Sequence, residues 1–233
     1  MEQFILVGYD YFSAGTATRW IVRRSAGPGE PFETVDSYTP SVSSTSNIAY
    51  SVAISPIDGA VYVGGAETIT GNVYGLLRRS SSGLSGTFSN VFTLSGTGLF
   101  GGTIYGVGIS PVDGAVYTAG HERSVTNGIA FSIWRSLTGL SGTFTVADAV
   151  LSGSHATTNV QAFAYDVAVS PVNGAVYVCG QEYSGSNNLS NGVLRRSPTG
   201  LSGTFVSADT TSRKLDYFSF NCCSDARTSY FSN

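Results

Sequence analysis

The sequence predicts an all-β fold built from repeated antiparallel meanders, and three observations carry this prediction. A dozen residues, ISPIDGAVYVGG from Ile54, recur as ISPVDGAVYTAG from Ile109 and as VSPVNGAVYVCG from Val169. The proline in these segments recurs after 55 and then 60 residues, a period typical of propeller blades and related arrays. Charged residues make up only 12% of a chain that is rich in Gly, Tyr and Phe, a composition that suits strands and turns better than helices.

Each repeat contains four strand-like segments, which we label a to d. In the first full repeat they are AYSVAI (49–54), AVYVGGAE (60–67), NVYGLLRR (72–79) and TFSNVFTL (87–94). Alternating apolar residues and an enrichment in Val, Tyr and Phe support a strand in every case. Short connections between them predict a four-stranded antiparallel meander.

The a–b connection reads as a tight turn. In SPIDG, Pro56 presets φ at the second position of the turn, and Gly59 is able to adopt a positive φ. Asp113 and Asn173 take the place of Asp58 in the other repeats, and both residue types tolerate turn geometry. A structural role is therefore favoured over a calcium loop, which would need further carboxylates nearby.

The chain ends resemble two parts of one more repeat. FILVGYD from Phe4 matches strand b, so the first repeat lacks strand a, and LDYFSF from Leu215 is the candidate for the missing strand. Pairing the first and last strands would close a ring and remove exposed sheet edges. The sequence thus predicts a single domain, 1–233, that is a small β-propeller of about four blades of four strands. The predicted boundaries are about 46–100, 101–160 and 161–211, with a partial blade at 1–45 completed by 212–233.

The c–d connection recurs as RSSSGLSGTF, RSLTGLSGTF and RSPTGLSGTF, with a shorter version, SAGPGEPF, from Ser25. It resembles the Asp-box, S-x-D-x-G-x-T-W, of sialidase-like propellers with BNR repeats. The aspartate itself is replaced by Gly27, Ser82, Thr138 and Thr199, so these boxes are degenerate. The resemblance implies a propeller architecture and, by analogy with the family, a glycoside hydrolase as one possible activity.

The loops divide between the two ends of such a fold. In a meander, the a–b and c–d turns share one end, and these turns are nearly uniform in sequence. The b–c and d–a loops share the other end and vary in length and content. Because insertions in repeat proteins collect on one face, often the binding face, we assign function to the end with the variable loops.

Two kinds of residue recur at that end: a tyrosine in strand a and a carboxylate at the end of strand b. A ring of carboxylates with aromatic platforms is able to bind a sugar, a cation or a basic peptide. The alternative is that each carboxylate bonds to groups within its own repeat, which exact repetition favours. Asp166 breaks the symmetry, because the other repeats have Ser51 and Gly106 in its place. The candidate ligand-binding residues are Tyr50, Glu67, Tyr105, Glu122, Tyr165, Asp166 and Glu182.

Charge and composition exclude several classes of function. A net charge of −3 without a basic stripe argues against a nucleic-acid partner, and no apolar run is long enough to span a bilayer. The chain has three cysteines and two histidines, without metal-ligand spacing. We therefore expect no metal site and no cofactor.

Three functions remain. The sequence favours a non-enzymatic module that presents variable loops to a glycan or protein partner. One alternative, implied by the family resemblance, is a sialidase-like hydrolase that pairs Tyr105 or Tyr165 with Glu122 or Glu182. Another is a structural protein that assembles into homo-oligomers. The abundance of Ser, Thr, Gly and Tyr with a single lysine favours an extracellular, cell-surface or virion location.

A sialidase would also need arginines that converge on the substrate carboxylate. At the variable end, the sequence offers only Arg19 and Arg123 for this role. The repeated arginines that precede the box serine lie at the other end of strand c, where we expect them to brace the turns. We therefore assign no catalytic residue.

Overall fold

The computed structural model describes residues 4–12, 17–39, 44–83, 86–95, 101–124, 128–150, 161–184 and 189–212. This part of the chain forms fifteen strands and no α-helix, so the predicted all-β class is confirmed. No helix there is long and apolar enough to cross a membrane. The strands are β1 (Phe4–Phe12), β2 (Ala17–Ser25), β3 (Glu33–Tyr38), β4 (Ser44–Ile54), β5 (Val61–Ile69), β6 (Asn72–Ser80), β7 (Ser89–Leu94), β8 (Gly102–Ile109), β9 (Val116–Ser124), β10 (Gly128–Ser136), β11 (Thr145–Val150), β12 (Gln161–Val169), β13 (Val176–Ser184), β14 (Leu189–Ser197) and β15 (Val206–Ser212).

The strands form four consecutive antiparallel meanders, which we call units 1 to 4. Unit 1 is β1–β3, unit 2 is β4–β7, unit 3 is β8–β11 and unit 4 is β12–β15. Units 3 and 4 join into one sheet through a single parallel bridge between Ile129 and Gln161. The predicted a–d order is observed in units 2 to 4, and unit 1 supplies strands b, c and d.

Closure of a ring is not observed among the described strands. At the two ends of the series, β1 pairs only with β2, and β15 pairs only with β14. The predicted closing strand at 215–220 lies outside the described residues. Pairing of the first and last strands therefore stays a prediction.

The a–b turns have the predicted geometry. Gly59 and its counterparts in units 3 and 4 adopt φ values of 68–74°, which only glycine adopts without strain. The N–H of Ser55 donates to the carbonyl of Ala60 at 2.8 Å, and Asp58 Oδ1 accepts from the N–H of Ala60 at 3.2 Å. Asn173 makes the corresponding bond in unit 4. The residue at this position thus stabilises the turn, as the sequence indicates.

The hydrophobic core lies between the units, because a single meander cannot bury its own apolar faces. Unit 1 packs Trp20 and Val22 against Val63 of unit 2. Clusters of the same kind fill the next two interfaces. Their largest fully buried members are Tyr62, Leu77, Ile104 and Val116 between units 2 and 3, and Tyr117, Phe131, Ile133 and Val178 between units 3 and 4.

Candidate functional site

The first strands of units 2, 3 and 4 contact one another in sequence, β4 with β8 and β8 with β12. Each of them has a β-bulge at the same position, and the extra residue is Tyr50, Tyr105 or Tyr165. A bulge places two residues opposite one and re-aims a side chain, which is why bulges often occur beside binding sites. Three equivalent tyrosines are thus displaced from the ordinary strand alternation.

Glycines on the neighbouring strand make these bulges possible. A Cβ at Gly65 would lie 2.1 Å from the backbone oxygen of Ile48, two residues before the bulge. The same clash with a backbone oxygen, at 2.0 and 2.1 Å, would occur at Gly120 and Gly180. A side chain at any of the three positions would therefore force the bulge and its tyrosine to move.

The three tyrosines lie side by side. The ring centroids of Tyr50 and Tyr105 are 5.3 Å apart, and those of Tyr105 and Tyr165 are 5.5 Å apart. Phe163 stacks on Tyr165 at 6.0 Å, and the ring of His121 lies 5.6 Å from Tyr105 and 5.1 Å from Phe163. We call these five residues the tyrosine array.

The array combines buried and exposed aromatic surface. Tyr50 is 45% exposed, whereas Tyr105 and Tyr165 are half-buried. Burial, with a smaller contribution from the two neighbouring tyrosines, raises the pKa of Tyr105 to about 12. Burial also raises the pKa of Tyr50 and of Tyr165. All three hydroxyls therefore stay protonated and neutral at physiological pH.

His121 is a buried, uncharged member of the array. Its Nδ1 has no hydrogen-bond partner among the described residues. Burial, and to a smaller extent the positive charge of Arg123, lowers the pKa of His121 to about 4. The imidazole is thus neutral at pH 7 and serves there as an aromatic ring between Tyr105 and Phe163.

The carboxylates of Glu67 and Glu122 point away from the array. Glu67 is buried and its Oε2 accepts a 2.9 Å hydrogen bond from the hydroxyl of Tyr38 in unit 1. Glu122 accepts from the indole N–H of Trp134 at 2.5 Å. Burial raises the pKa of Glu122 and of Glu182. Since adjacent residues of a strand face opposite sides, His121 reaches the array and its neighbour Glu122 does not.

Asp166 follows directly after the bulge residue of β12. Its Oδ1 accepts from the N–H of Val167 at 2.9 Å. A Cβ at Gly106 would lie 2.8 Å from the Cα of Asp166, so the glycine lets β8 approach β12 closely. Asp166 thus lies at the contact between two first strands, beside the array.

Three aromatic residues at this end were not singled out from the sequence. Tyr9 and His121 each precede the repeated carboxylate, and Phe163 lies two residues before Tyr165. Tyr9 is close enough to Tyr50 for its charge to contribute to the raised pKa of that residue. An aromatic ring immediately before the carboxylate of strand b was the signal that could have identified two of them.

The arginines at this end do not form a cluster. Asp10 binds Arg19 with two hydrogen bonds, at 2.7 and 2.9 Å, and Arg123 is exposed. The repeated arginines brace the other end, as predicted: Arg79 donates to the hydroxyl of Tyr62 at 2.8 Å. In the described part of the chain, no three His, Cys, Asp or Glu side chains are grouped as metal ligands.

The opposite end of the same first strands has a different character. A groove of about 450 Å³ lies there, next to the a–b turns, and the side chains that line it are apolar. Its lining includes Ile54, Pro56, Ile109, Pro111, Val169 and Pro171. The side chains that line this groove carry no hydrogen-bonding groups, whereas the array includes three phenol hydroxyls.

The sequence matches no protein-family model and no curated protein. Among solved structures, the chain is similar to the leech intramolecular trans-sialidase complexed with 2,7-anhydro-Neu5Ac, with 14% identity, a TM-score of 0.51 and coverage of 86% of this chain and 30% of that one. An intramolecular trans-sialidase from Ruminococcus gnavus in complex with oseltamivir carboxylate has 13% identity, a TM-score of 0.49 and coverage of 91% and 49%. An exo-1,5-α-L-arabinanase from a bovine ruminal metagenomic library has 11% identity, a TM-score of 0.43 and coverage of 83% and 70%.

At such low identity, the likeness to the leech enzyme shows the fold alone. It supports the predicted all-β, propeller-like architecture. The chain spans about a third of the length of the leech enzyme and about half of the Ruminococcus enzyme. The number of blades and the activity stay predictions.

Proposed function

We propose that the chain is a non-enzymatic module that binds a glycan through the tyrosine array. The observation that carries this proposal is the alignment of three tyrosines from equivalent bulges, with ring centroids 5.3 and 5.5 Å apart. Aromatic rings offer an apolar face for the C–H groups of a sugar, and phenol hydroxyls add hydrogen-bond donors and acceptors. The partly exposed ring of Tyr50 would make the first contact.

The charges around the array favour a neutral sugar. The raised pKa values keep the tyrosines uncharged, and His121 is neutral at pH 7 because its pKa is about 4. Glu67 and Glu122 bond to Tyr38 and Trp134 instead of facing the array. A sugar with hydroxyl groups needs no ionic partner, whereas a sialic acid would require one for its carboxylate.

A sialidase-like hydrolase is the second candidate, and the fold of the leech enzyme favours it. A tyrosine nucleophile requires a nearby base or a lowered pKa. Burial has the opposite effect on Tyr105 and raises its pKa to about 12. Glu122 is one of the two carboxylates that the sequence offers as a general base, and it accepts a hydrogen bond from Trp134. These contacts support binding over turnover.

A glycan array that contains neutral oligosaccharides and sialosides, followed by calorimetry on the best ligand, tests the proposal. We expect a neutral glycan to be retained and Tyr50→Ala to weaken its binding by about 10-fold, equivalent to about 1.4 kcal/mol of lost stacking. Tyr74→Ala, on the third strand of unit 2, is the matched control and should leave affinity unchanged. Tyr105→Phe should retain most of the affinity because the ring remains.

Two results would contradict the proposal. One is an array that retains no glycan, and the other is a glycan whose affinity does not change in Tyr50→Ala. Incubation with fluorogenic sialosides and arabinosides addresses the alternative directly. Turnover that Glu122→Gln or Glu182→Gln abolishes would establish the hydrolase instead.

A further inference from the structure

Two of the three interfaces between units contain the same buried ion pair. Arg78 on β6 of unit 2 binds Asp36 on β3 of unit 1, with 3.1 Å between Nε and Oδ2. Arg195 on β14 of unit 4 binds Asp148 on β11 of unit 3 at 2.5 Å. In both cases strand c of one unit supplies the arginine, and strand d of the preceding unit supplies the aspartate. The pair therefore links each of these units to the one before it.

Arg23 is the counterpart of these arginines in unit 1. It precedes the arginine and serine that end strand c, as Arg78 and Arg195 do. Its guanidinium donates to the carbonyl of Phe32 at 2.6 Å, and Arg78 and Arg195 bond to the corresponding carbonyls of their own units. Arg23 is thus held in the same orientation, but it is exposed.

Asp209 is the counterpart of the aspartates in unit 4. It lies opposite Leu194 in the register of β14 and β15, as Asp36 lies opposite Val22 and Asp148 lies opposite Ile133. Asp209 is exposed as well. Unit 1 therefore exposes the arginine, and unit 4 exposes the aspartate, of an ion pair like those between neighbouring units.

The surroundings of Arg23 are apolar. Alignment of the strand-b segments puts Phe4 and Leu6 in the places of Val61 and Val63, which are fully buried between units 1 and 2. Phe4 is 44% exposed and Leu6 is 56% exposed. A face that is built like a unit interface thus stands open on unit 1.

We propose that this face of unit 1 docks against unit 4 of a second copy of the chain, so that Arg23 of one copy pairs with Asp209 of the next. Charge complementarity and the Arg78–Asp36 interface as a template both point to this occupant. The described side chains of Arg23 and Leu6 on unit 1 and of Asp209 on unit 4 are all exposed, so another copy is able to reach them. The contact is head-to-tail, so it closes into a ring or continues as a chain of copies. It does not depend on the glycan-binding proposal.

Charge reversal combined with mixing tests the contact. Sedimentation velocity over a concentration series should show association of the native chain. Arg23→Asp and Asp209→Arg should each weaken it by at least 10-fold, because like charges then face each other at every junction. An equimolar mixture of the two variants should associate again, since each junction between unlike copies joins a cation to an anion.

The apolar part of the face has its own test. Leu6→Asp should also prevent association, because it places a carboxylate in the docked surface. Leu137→Asp is the matched control: this residue is 59% exposed in unit 3, after β10 and outside the proposed junction, and its replacement should leave association unchanged. Circular dichroism on every variant verifies the β structure.

Three results would overturn the proposal. The first is a native chain that stays monomeric at all concentrations. The second is association that neither charge reversal weakens, which would place the contact on another surface. The third is closure within one chain: each single reversal would then lower the melting temperature of a monomer, the double reversal would restore it, and mixing the two variants would have no effect.

Discussion

The interface between units 1 and 2 and the interface between units 2 and 3 use different chemistry at equivalent positions. In the first, Arg78 meets Asp36. In the second, Trp134 occupies the place of the arginine and Phe92 that of the aspartate, with ring centroids 5.1 Å apart. Phe92 also stacks on Phe144 at 4.7 Å. The same backbone arrangement therefore accepts either pair, provided that both positions change together.

The ion pair and the aromatic pair differ in the contacts that they require from neighbouring residues. Burial raises the pKa of Asp36 even though the charge of Arg78 opposes this shift. The guanidinium needs several further partners: it donates to Asn90 Oδ1 at 2.8 Å and lies 4.0 Å from the centroid of the Tyr38 ring. Dehydration of a buried ion pair offsets much of its attraction. We therefore expect the ion pair to add little net stability compared with an apolar pair in the same place.

Breaking one ion pair should give the largest effect. Asp36→Asn removes the negative charge and leaves the buried guanidinium of Arg78 without its counterion. We expect the free energy of unfolding to fall by about 3 kcal/mol, as for other buried pairs that lose one partner. Urea denaturation followed by fluorescence measures the change.

Asp113→Asn is the matched control for that experiment. Asp113 lies 3.6 Å from Arg135, and its side chain is half exposed. Unit 4 has Asn173 at this position, where its Oδ1 makes the same turn hydrogen bond. The loss should stay below about 1 kcal/mol. Equal losses in the two variants would contradict the distinction between buried and exposed pairs.

The strand order could be predicted from the sequence because the repeats fix the spacing of turns. Pro56 and Gly59 mark the a–b turn in one local segment, and alternation identifies the strands on either side. The orientation of the carboxylates could also have been derived. Ala66 and Glu67 are neighbours on one strand, so only one of them is able to face the first strands.

The bulges and the unit interfaces could not be predicted in the same way. A bulge shifts the alternation by one residue, and nothing local to Tyr105 marks it. The residue that indicates the bulge is Gly120 on the next strand, because the absence of a side chain there leaves space for a backbone oxygen of β8. Arg78 and Asp36 are 42 residues apart, and repetition alone does not indicate whether a third strand packs against the preceding unit or the following one.

The two ion-paired interfaces differ from each other in their response to acid. Between units 3 and 4, His121 packs against Phe163, and Tyr9 holds the equivalent position in unit 1. The pKa of His121 is about 4 when folded and about 6.5 when unfolded. The neutral form is therefore favoured by folding, and the stability it contributes above pH 6.5 is lost as the pH falls toward 4. We expect His121 to account for a loss of about 2 kcal/mol between pH 7 and pH 4.5.

His121→Phe isolates this contribution. The ring is retained, and Nδ1 has no hydrogen-bond partner to lose within the described chain. Carboxylates titrate in the same pH range in both proteins, so the difference between their unfolding free energies reports on His121 alone. Urea midpoints at pH 7 and 4.5 give this difference. Identical pH profiles for the two proteins would show that His121 is not held neutral by its surroundings.

Replacing the ion pair by the aromatic pair should have the smallest effect on the free energy of unfolding, and it tests the comparison most directly. Arg78→Trp together with Asp36→Phe copies the pair between units 2 and 3 into the interface between units 1 and 2. Apolar replacement of a buried ion pair is often neutral or stabilising, so we expect the double variant to lie within about 1 kcal/mol of the native chain. Each single variant should be less stable than the double one, since it leaves a lone charge against an aromatic ring. A double-mutant cycle from urea denaturation measures the coupling, and strictly additive losses would show that the two positions do not need to change together.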